Sequence, residues 1–155
     1  MVYFYPILPE NIAVHFNFSG EPDGWQHKGT FFLLFSMLII GMNGLFFGIP
    51  IIIRKLPISM INLPNKEYWL SPHRAEHTYQ WFDNAFKHWG LMINFLLIMT
   101  FIVTCYSNSI FPVQLSSSFL MPSLSMFVML TGIIIYSLVS KFRKLPEING
   151  DSTKV

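Results

Sequence analysis

The sequence predicts an all-α integral membrane protein with three transmembrane helices, a short extended N-terminal segment outside the membrane, and one interfacial amphipathic helix. Of its 155 residues, 52% are hydrophobic and 12% are charged, which is too apolar for an ordinary soluble domain. Three long apolar stretches are separated by polar, turn-rich segments. The net charge is only +2 and the basic residues are dispersed, so nucleic acid is not indicated as a partner.

The segment before the first apolar stretch is predicted to form a strand, a turn and a membrane anchor. Apolar and polar side chains alternate loosely over residues 11–18, as in a half-buried strand. Residues 20–24 contain two glycines, a proline and an aspartate, so we expect the chain to reverse there with Gly24 at a positive φ. The reversal would bring Trp25 and Lys28 to the membrane surface.

The same segment resembles the signature of an uncharacterised bacterial membrane domain of unknown function, which is also found in immunity proteins against the sporulation-delaying toxin. The pattern consists of Leu8-Pro9, His15-Phe16-Asn17, Gly20-x-Pro22-Asp23-Gly24-Trp25 and Lys28. The resemblance implies an accessory or immunity-like role, and the binding candidates in the signature are His15, Asn17, Gly20, Pro22, Asp23, Trp25 and Lys28. In the immunity proteins a membrane helix precedes the signature. Only seven residues precede Leu8, so we expect no leading helix.

Residues 30–53 form the first predicted transmembrane helix, because these 24 uncharged residues exceed the roughly 20 that cross a bilayer core. Gly41, Gly44 and Gly48 lie on neighbouring turns and form a small-residue surface, the glycine face, that another helix can approach closely. Asn43 lies among them at membrane depth, where its amide needs a hydrogen-bond partner. We therefore expect this face to pack on the other two helices or on another protein.

Residues 54–85 are predicted to be a loop that ends in an amphipathic helix from about residue 72. Ser71 suits the N-cap of that helix and Pro72 its first position. Aromatic side chains then recur at helical spacing, at Tyr79, Phe82, Phe86 and Trp89. We expect this helix to lie in the headgroup region before the chain bends into the next span, with an interfacial belt of Trp69, Trp81 and Trp89.

The remaining apolar stretches predict the second and third transmembrane helices, at residues 86–106 and 119–140. A short uncharged outer loop, residues 107–118, connects them. Asn94 in the second span is, like Asn43, assigned to helix packing. Residues 141–155 are polar and are expected to be a disordered tail.

The basic residues predict the orientation of the spans. Nine of the ten lysines and arginines lie within residues 54–90 or after the third span, whereas residues 1–29 contain only Lys28 and the outer loop contains none. Short loops rich in lysine and arginine stay on the cytoplasmic side. We therefore expect a multi-pass protein of the bacterial inner membrane with its N-terminus outside and its C-terminus in the cytoplasm.

Two groups of side chains are candidates for metal binding. His73, Glu76 and His77 match a string in which inverted zinc peptidases hold zinc with two histidines and use the glutamate as a base. No third ligand is evident, and so short a string arises easily by chance. A solvated helix face, with Glu76 near Gln80 and Asp83 near Lys87, is the favoured interpretation.

His15, Asp23 and His27 form the second group, since two imidazoles and a carboxylate could bind a divalent metal if the turn brought them together. The favoured interpretation is structural. It has His15 and Asn17 hydrogen-bonding across the strand and turn, while Asp23 bonds backbone amides.

No nucleophile motif, phosphate-binding loop or cofactor fingerprint occurs in the sequence, so we expect neither an enzyme nor a cofactor. The predicted protein sits in the lipid bilayer, and its outward segment and glycine face bind another membrane protein, a membrane-active peptide or a second copy. The alternatives are a subunit of a larger membrane complex and, less favoured, a zinc-dependent membrane hydrolase that uses His73, Glu76 and His77.

Overall fold

The computed structural model describes residues 3–115 and 117–145, leaving aside the side chains of residues 117–120. This part of the chain is mostly helical, with three helices long and apolar enough to cross a membrane and a small two-stranded sheet near the N-terminus. The strands and α-helices are β1 (Asn11–Phe16), β2 (Pro22–His27), α1 (Lys28–Lys55), α2 (Lys66–Trp69), α3 (Ala75–Ser107) and α4 (Ser117–Arg143), with a short 3-10 helix (Ile58–Met60) between α1 and α2. The prediction of three long apolar helices after an extended segment is confirmed. The extended segment is a paired hairpin, so the fold is not purely α.

Helix α1 follows β2 without a loop because His27 serves as its N-cap. The imidazole Nδ1 of His27 accepts a hydrogen bond from the backbone N–H of Gly29 at 3.0 Å. This bond satisfies one of the N–H groups that the first turn of a helix leaves free. The helix ends at Lys55, two residues before Pro57, and includes the whole predicted span 30–53.

Helix α3 differs from the prediction, because the expected amphipathic helix and the second span are one uninterrupted helix of 33 residues. At 1.5 Å per residue it is about 50 Å long, more than a bilayer core of about 30 Å requires. It begins at Ala75 rather than near residue 72. The carbonyl of Ser71 instead accepts bonds from the N–H groups of Arg74 and Ala75, both at 2.9 Å, and closes a turn before the helix.

The aromatic face of the first turns of α3 explains why the helix does not bend away. Phe82 stacks on Phe142 of α4 at 5.5 Å between ring centroids. Trp69 and Trp81 meet the same ring edge-on at 5.3 and 5.2 Å. Phe142 is completely buried. Trp69 and Trp81 thus pack against Phe142 and are only partly buried, and their place in an interfacial belt stays a prediction.

The end of α4 is capped by the connection between α1 and α3. The side-chain amide of Asn65, a residue in the left-handed conformation with φ +52°, donates to the carbonyls of Phe142 and Arg143, both at 3.0 Å. The indole N–H of Trp69 donates to the carbonyl of Phe142 at 3.1 Å. Residues 141–143 are thus helical. Residues 144 and 145 follow without regular secondary structure, and the predicted disordered tail from residue 146 onward lies outside the described residues.

Helix α3 packs against both α1 and α4, and a second core lies at the end opposite Phe142. There Leu8 and Ile12 meet Phe31, Phe32 and Phe35 of α1 and Phe101 and Cys105 of α3. The hairpin is therefore attached to the same end of the bundle as the connection between α3 and α4. The connection between α1 and α3 lies at the other end, together with the last turn of α4.

Candidate functional site

The hairpin of β1 and β2 is fixed to the bundle by the side chain of Asn108, the C-cap of α3. Its Oδ1 accepts a hydrogen bond from the backbone N–H of Ala13 at 2.7 Å, and its Nδ2 donates to the Ala13 carbonyl at 2.8 Å. Nδ2 also donates to the carbonyl of Thr104 at 2.9 Å. Ala13 and Asn108 are both buried. The amide therefore takes the place of a neighbouring strand at the free edge of β1.

The buried side chain of Lys28 stabilises the base of the hairpin, where Leu8 and Glu10 precede β1. Its Nζ donates to the carbonyl of Leu8 at 3.0 Å, lies 3.3 Å from the Glu10 carboxylate, and sits 5.0 Å from the centre of the Tyr5 ring. The hydrogen bond and the charge of Lys28 lower the pKa of Glu10. Lys28 is only 8% exposed, so this signature residue lies inside the base rather than on a surface open to a partner.

The chain reverses between the strands at residues 17–21, earlier than predicted. The Asn17 N–H donates to the carbonyl of Glu21 at 2.9 Å. The Asn17 side-chain oxygen accepts from the N–H groups of Ser19 and Glu21 at 2.9 and 3.0 Å. Gly20 has φ +80° and supplies the left-handed residue that the turn needs.

Gly24 lies in β2 opposite His15 of β1, so the prediction of a positive φ at Gly24 is wrong. The Asn17 side chain accepts hydrogen bonds from the amides of Ser19 and Glu21, so the turn is complete before residue 22. Residues 22–24 are therefore extended. What Gly24 provides is space, since a Cβ at this position would lie 2.8 Å from the Cβ of His15. The signature glycine therefore permits close approach of the two strands.

His15 and Asp23 form a pair on the surface of the hairpin, where the imidazole Nδ1 contacts the carboxylate Oδ1. Their side chains are 74% and 44% exposed. In the favoured sequence interpretation, His15 and Asn17 bond across the strand and turn, which agrees with the structure. Asp23 differs from it, because this carboxylate meets His15 and not backbone amides. Two register shifts flank His15 in the strand pairing, and they interrupt the predicted alternation so that Ile12 and Ala13 are both buried.

The exposed side of the hairpin borders an open cavity of about 440 Å³, lined by His15, Phe16, Asn17, Phe18, Gly20, Asp23, Leu115 and Met121. The N–H of Leu115 donates to the carbonyl of Gly20 at 2.8 Å, so the connection between α3 and α4 forms part of its wall. Phe18 is fully exposed and Trp25 is 53% exposed. The cavity therefore combines an ionisable pair with accessible aromatic surface.

The structure brings together four of the seven signature candidates at this cavity: His15, Asn17, Gly20 and Asp23. Trp25 is exposed on β2, Pro22 opens β2 opposite Phe16, and Lys28 is buried at the base. His27 does not join His15 and Asp23, because its Nε2 lies 3.0 Å from the Glu10 carboxylate while its Nδ1 caps α1. Within the described chain, no group of three or more His, Cys, Asp or Glu side chains could hold a metal ion.

Sequence reasoning missed Asn108 and Leu115, which tie the hairpin to the bundle. The position of Asn108 could have predicted a hydrogen-bonding role, since a polar side chain at the end of an apolar span needs a partner. Leu115 acts through its backbone N–H, for which the side chain gives no signal.

The two asparagines assigned to helix packing meet each other between α1 and α3. Asn43 Nδ2 donates to Asn94 Oδ1 at 3.0 Å, and Asn94 Nδ2 donates to Asn43 Oδ1 at 2.9 Å. Each amide also donates to a carbonyl four residues earlier, that of Ile39 and that of Gly90. Both side chains are thereby satisfied inside the chain.

The glycines of α1 do not take part in this packing. A Cβ at Gly41, Gly44 or Gly48 would meet nothing within 4 Å in the described part of the chain. The expectation that this face packs on the other helices therefore holds for Asn43, which meets Asn94 of α3, and not for the three glycines. The alternative, another protein against the glycines, stays a prediction. The close approach occurs at Gly90 of α3, where a Cβ would lie 3.2 Å from Phe46.

The zinc-peptidase string is not assembled as a metal site. Arg54 of α1 donates to Glu76 at 2.9 Å and to Asp83 at 2.6 Å. Gln80 donates to Glu76 at 3.2 Å, as the solvated-face interpretation expected, but Asp83 pairs with Arg54. His73 lies in the turn before α3, whereas His77 faces a separate cavity beside α4.

Residues 1–40 match the family model of a domain of unknown function, DUF1648. The matched part contains the hairpin and the first turns of α1. No curated protein and no solved structure matches the chain. The resemblance to an uncharacterised domain is thereby confirmed for the segment that carries the signature.

Proposed function

We propose that this protein is a small multi-pass protein of the bacterial inner membrane, without enzymatic activity, whose hairpin binds a partner on the outer side. The partner is another membrane protein or a membrane-active peptide, as in the immunity-like role that the signature suggests. The exposed His15–Asp23 pair, on a hairpin whose other side is bonded to the bundle, carries this proposal.

Membrane insertion is supported by the surface of all three long helices. Large apolar side chains are exposed along each of them, including Ile40 at 72%, Leu91 at 69% and Val128 at 62%. In water such surfaces would lead to aggregation, whereas in a bilayer they meet lipid. The basic residues at the end opposite the hairpin favour an outward hairpin.

Partner binding at the hairpin is supported by its attachment. Asn108, Lys28 and Leu115 hold the strands from the side of the bundle, so a partner would meet a surface that is already ordered. The exposed ring of Phe18 offers apolar contact, while Asp23 and His15 offer charge and hydrogen bonds.

Assembly into a larger membrane complex is the second candidate, favoured by the open surface at Gly41, Gly44 and Gly48. A helix from another subunit could approach the backbone of α1 closely there.

Site-specific photocrosslinking tests the hairpin proposal. A crosslinking residue at Phe18 should capture a defined partner in membranes, and the same residue at Ile58, exposed at the opposite end, should not. Asp23→Asn and His15→Gln should each reduce capture at Phe18 several-fold while the protein accumulates normally. His88→Gln, on the exposed side of α3, is the matched control. Equal capture by all variants would refute the role of the pair.

Orientation is tested separately in a Cys105→Ser background. A cysteine at Ser19, in the hairpin turn, should react with an impermeant thiol reagent in intact cells. A cysteine at Ser59, exposed in the connection between α1 and α2, should react only after the cells are opened. The reverse pattern would refute the proposed topology without bearing on the hairpin geometry.

A further inference from the structure

A cationic cavity lies at the end of the bundle opposite the hairpin, between α2, the start of α3 and the last turn of α4. Its volume is about 310 Å³, and its lining residues are Tyr68, Trp69, Arg74, His77, Thr78 and Lys141. Two of the six are cations and none is a carboxylate. We propose that this cavity binds the phosphate group of an anionic ligand, which in a membrane is the headgroup of an anionic phospholipid.

Both cations are held in place without being neutralised. The guanidinium of Arg74 lies 4.1 Å from the centre of the Tyr68 ring, and Nζ of Lys141 lies 4.9 Å from that of Trp81. Neither forms an ion pair with a carboxylate of the described residues. Glu76, the acidic residue in the first turn of α3, is bonded to Arg54 instead. Aromatic faces position a cation while leaving its charge available to an anion.

Two further polar groups around the cavity already have partners. The Thr78 hydroxyl donates to the carbonyl of Trp69 at 2.8 Å, and the Trp69 indole N–H donates to the carbonyl of Phe142. The polar groups left to meet a ligand are therefore the two cations, the imidazole of His77 and the hydroxyl of Tyr68. A set dominated by cationic donors fits a ligand that only accepts hydrogen bonds and carries negative charge, as a phosphate does.

The position of the cavity favours a lipid as the source of the phosphate. Lys141 lies in the last turn of α4, where an apolar span ends and the headgroup layer would begin. Basic pockets between helices on the cytoplasmic side are suited to anionic headgroups. This step uses the membrane insertion proposed above and is independent of partner binding at the hairpin.

Titration of the full-length protein in a zwitterionic detergent tests the proposal, with tryptophan fluorescence as the readout. The probes are dioctanoyl phosphatidylglycerol, dioctanoyl phosphatidylcholine and inorganic phosphate. Phosphatidylglycerol should bind more tightly than phosphatidylcholine. Arg74→Gln and Lys141→Gln should each weaken it about fivefold, since a basic side chain near anionic lipid contributes about that factor.

Two double variants make the result specific to the cavity. Lys55→Gln with Lys144→Gln removes two positive charges at the same end, one more than either single variant, but outside the cavity lining, and should bind as the wild type does. Arg74→Lys with Lys141→Arg keeps both charges and should retain binding. Equal affinity for both lipids, or an equal loss in the Lys55 and Lys144 variant, would overturn the proposal. Competition by inorganic phosphate at similar concentration would support the phosphate site and assign its source to free phosphate.

Discussion

The side-chain amide of Asn108 makes two hydrogen bonds with the backbone of Ala13, a residue 95 positions earlier in the chain. They join the C-terminus of α3 to the middle of β1 at a buried point. The hairpin is thereby coupled to α3, and not only to α1, which follows it directly in sequence.

Asn108→Ala should release the hairpin. The substitution leaves the buried N–H and carbonyl of Ala13 without these partners, at a cost of about 1–3 kcal/mol for each group. Backbone amides of residues 11–16 should exchange with deuterium several-fold faster, as measured by mass spectrometry. Asn62→Ala, at an exposed position in the connection between α1 and α2, is the control and should leave that exchange unchanged. Normal protection of β1 in Asn108→Ala would show that the amide is dispensable.

Gly24→Ala should disturb the hairpin through contact and not through backbone conformation. The added Cβ would lie 2.8 Å from that of His15, and overpacking of this kind costs about 1–3 kcal/mol. Gly132→Ala in α4 is the control, because nothing lies within 4 Å of a Cβ there and alanine favours a helix. Hydrogen exchange of β1 and β2 provides the measurement.

Removing the opposing Cβ tests the cause. His15→Gly in the Gly24→Ala background should recover part of the lost protection. If the double variant is no better protected than Gly24→Ala alone, crowding by His15 is not the reason for the glycine.

Asn43 and Asn94 should show energetic coupling. Each alanine substitution leaves the other amide with only the bond inside its own helix, so the coupling energy between Asn43→Ala and Asn94→Ala should be about 0.5–2 kcal/mol. Reversible unfolding in mixed micelles supplies the free energies. The control cycle pairs Asn43→Ala with Thr100→Ala, whose hydroxyl bonds the Leu96 carbonyl of its own helix at 2.9 Å. Additive effects in both cycles would mean that the observed pair contributes nothing to stability.

Gly90→Leu should destabilise the protein, whereas Gly44→Leu should not. Gly90 faces Phe46 across the contact between α1 and α3, so a leucine there should separate the helices and destabilise the chain by about 1–3 kcal/mol. Gly44→Leu meets nothing within the described chain and should leave unfolding of the purified protein nearly unchanged. If the glycine face binds another subunit, Gly44→Leu and Gly48→Leu should lower recovery of that subunit. Equal destabilisation by Gly90→Leu and Gly44→Leu would contradict the packing geometry.

The sequence by itself determined the three long helices and the extended character of the N-terminal segment. An apolar run of spanning length and an alternation of apolar and polar residues are both local properties. Each predicts the structure of its own segment without reference to the rest of the chain. The need of Asn43 for a partner was equally evident, since an amide at membrane depth has few alternatives.

Only the tertiary structure decided which groups meet. Asn43 hydrogen-bonds with Asn94, and the backbone of Ala13 hydrogen-bonds with Asn108. Asp23 contacts His15 and not backbone amides. Trp81 and Phe82 of α3 pack on Phe142 of α4, a contact that exists only when the helices assemble and that no local residue pattern reveals. Gly24 shows the same limit. Its φ depends on where the turn falls, and the Asn17 side chain fixes the turn at residues 17–21 through contacts that residue spacing does not reveal.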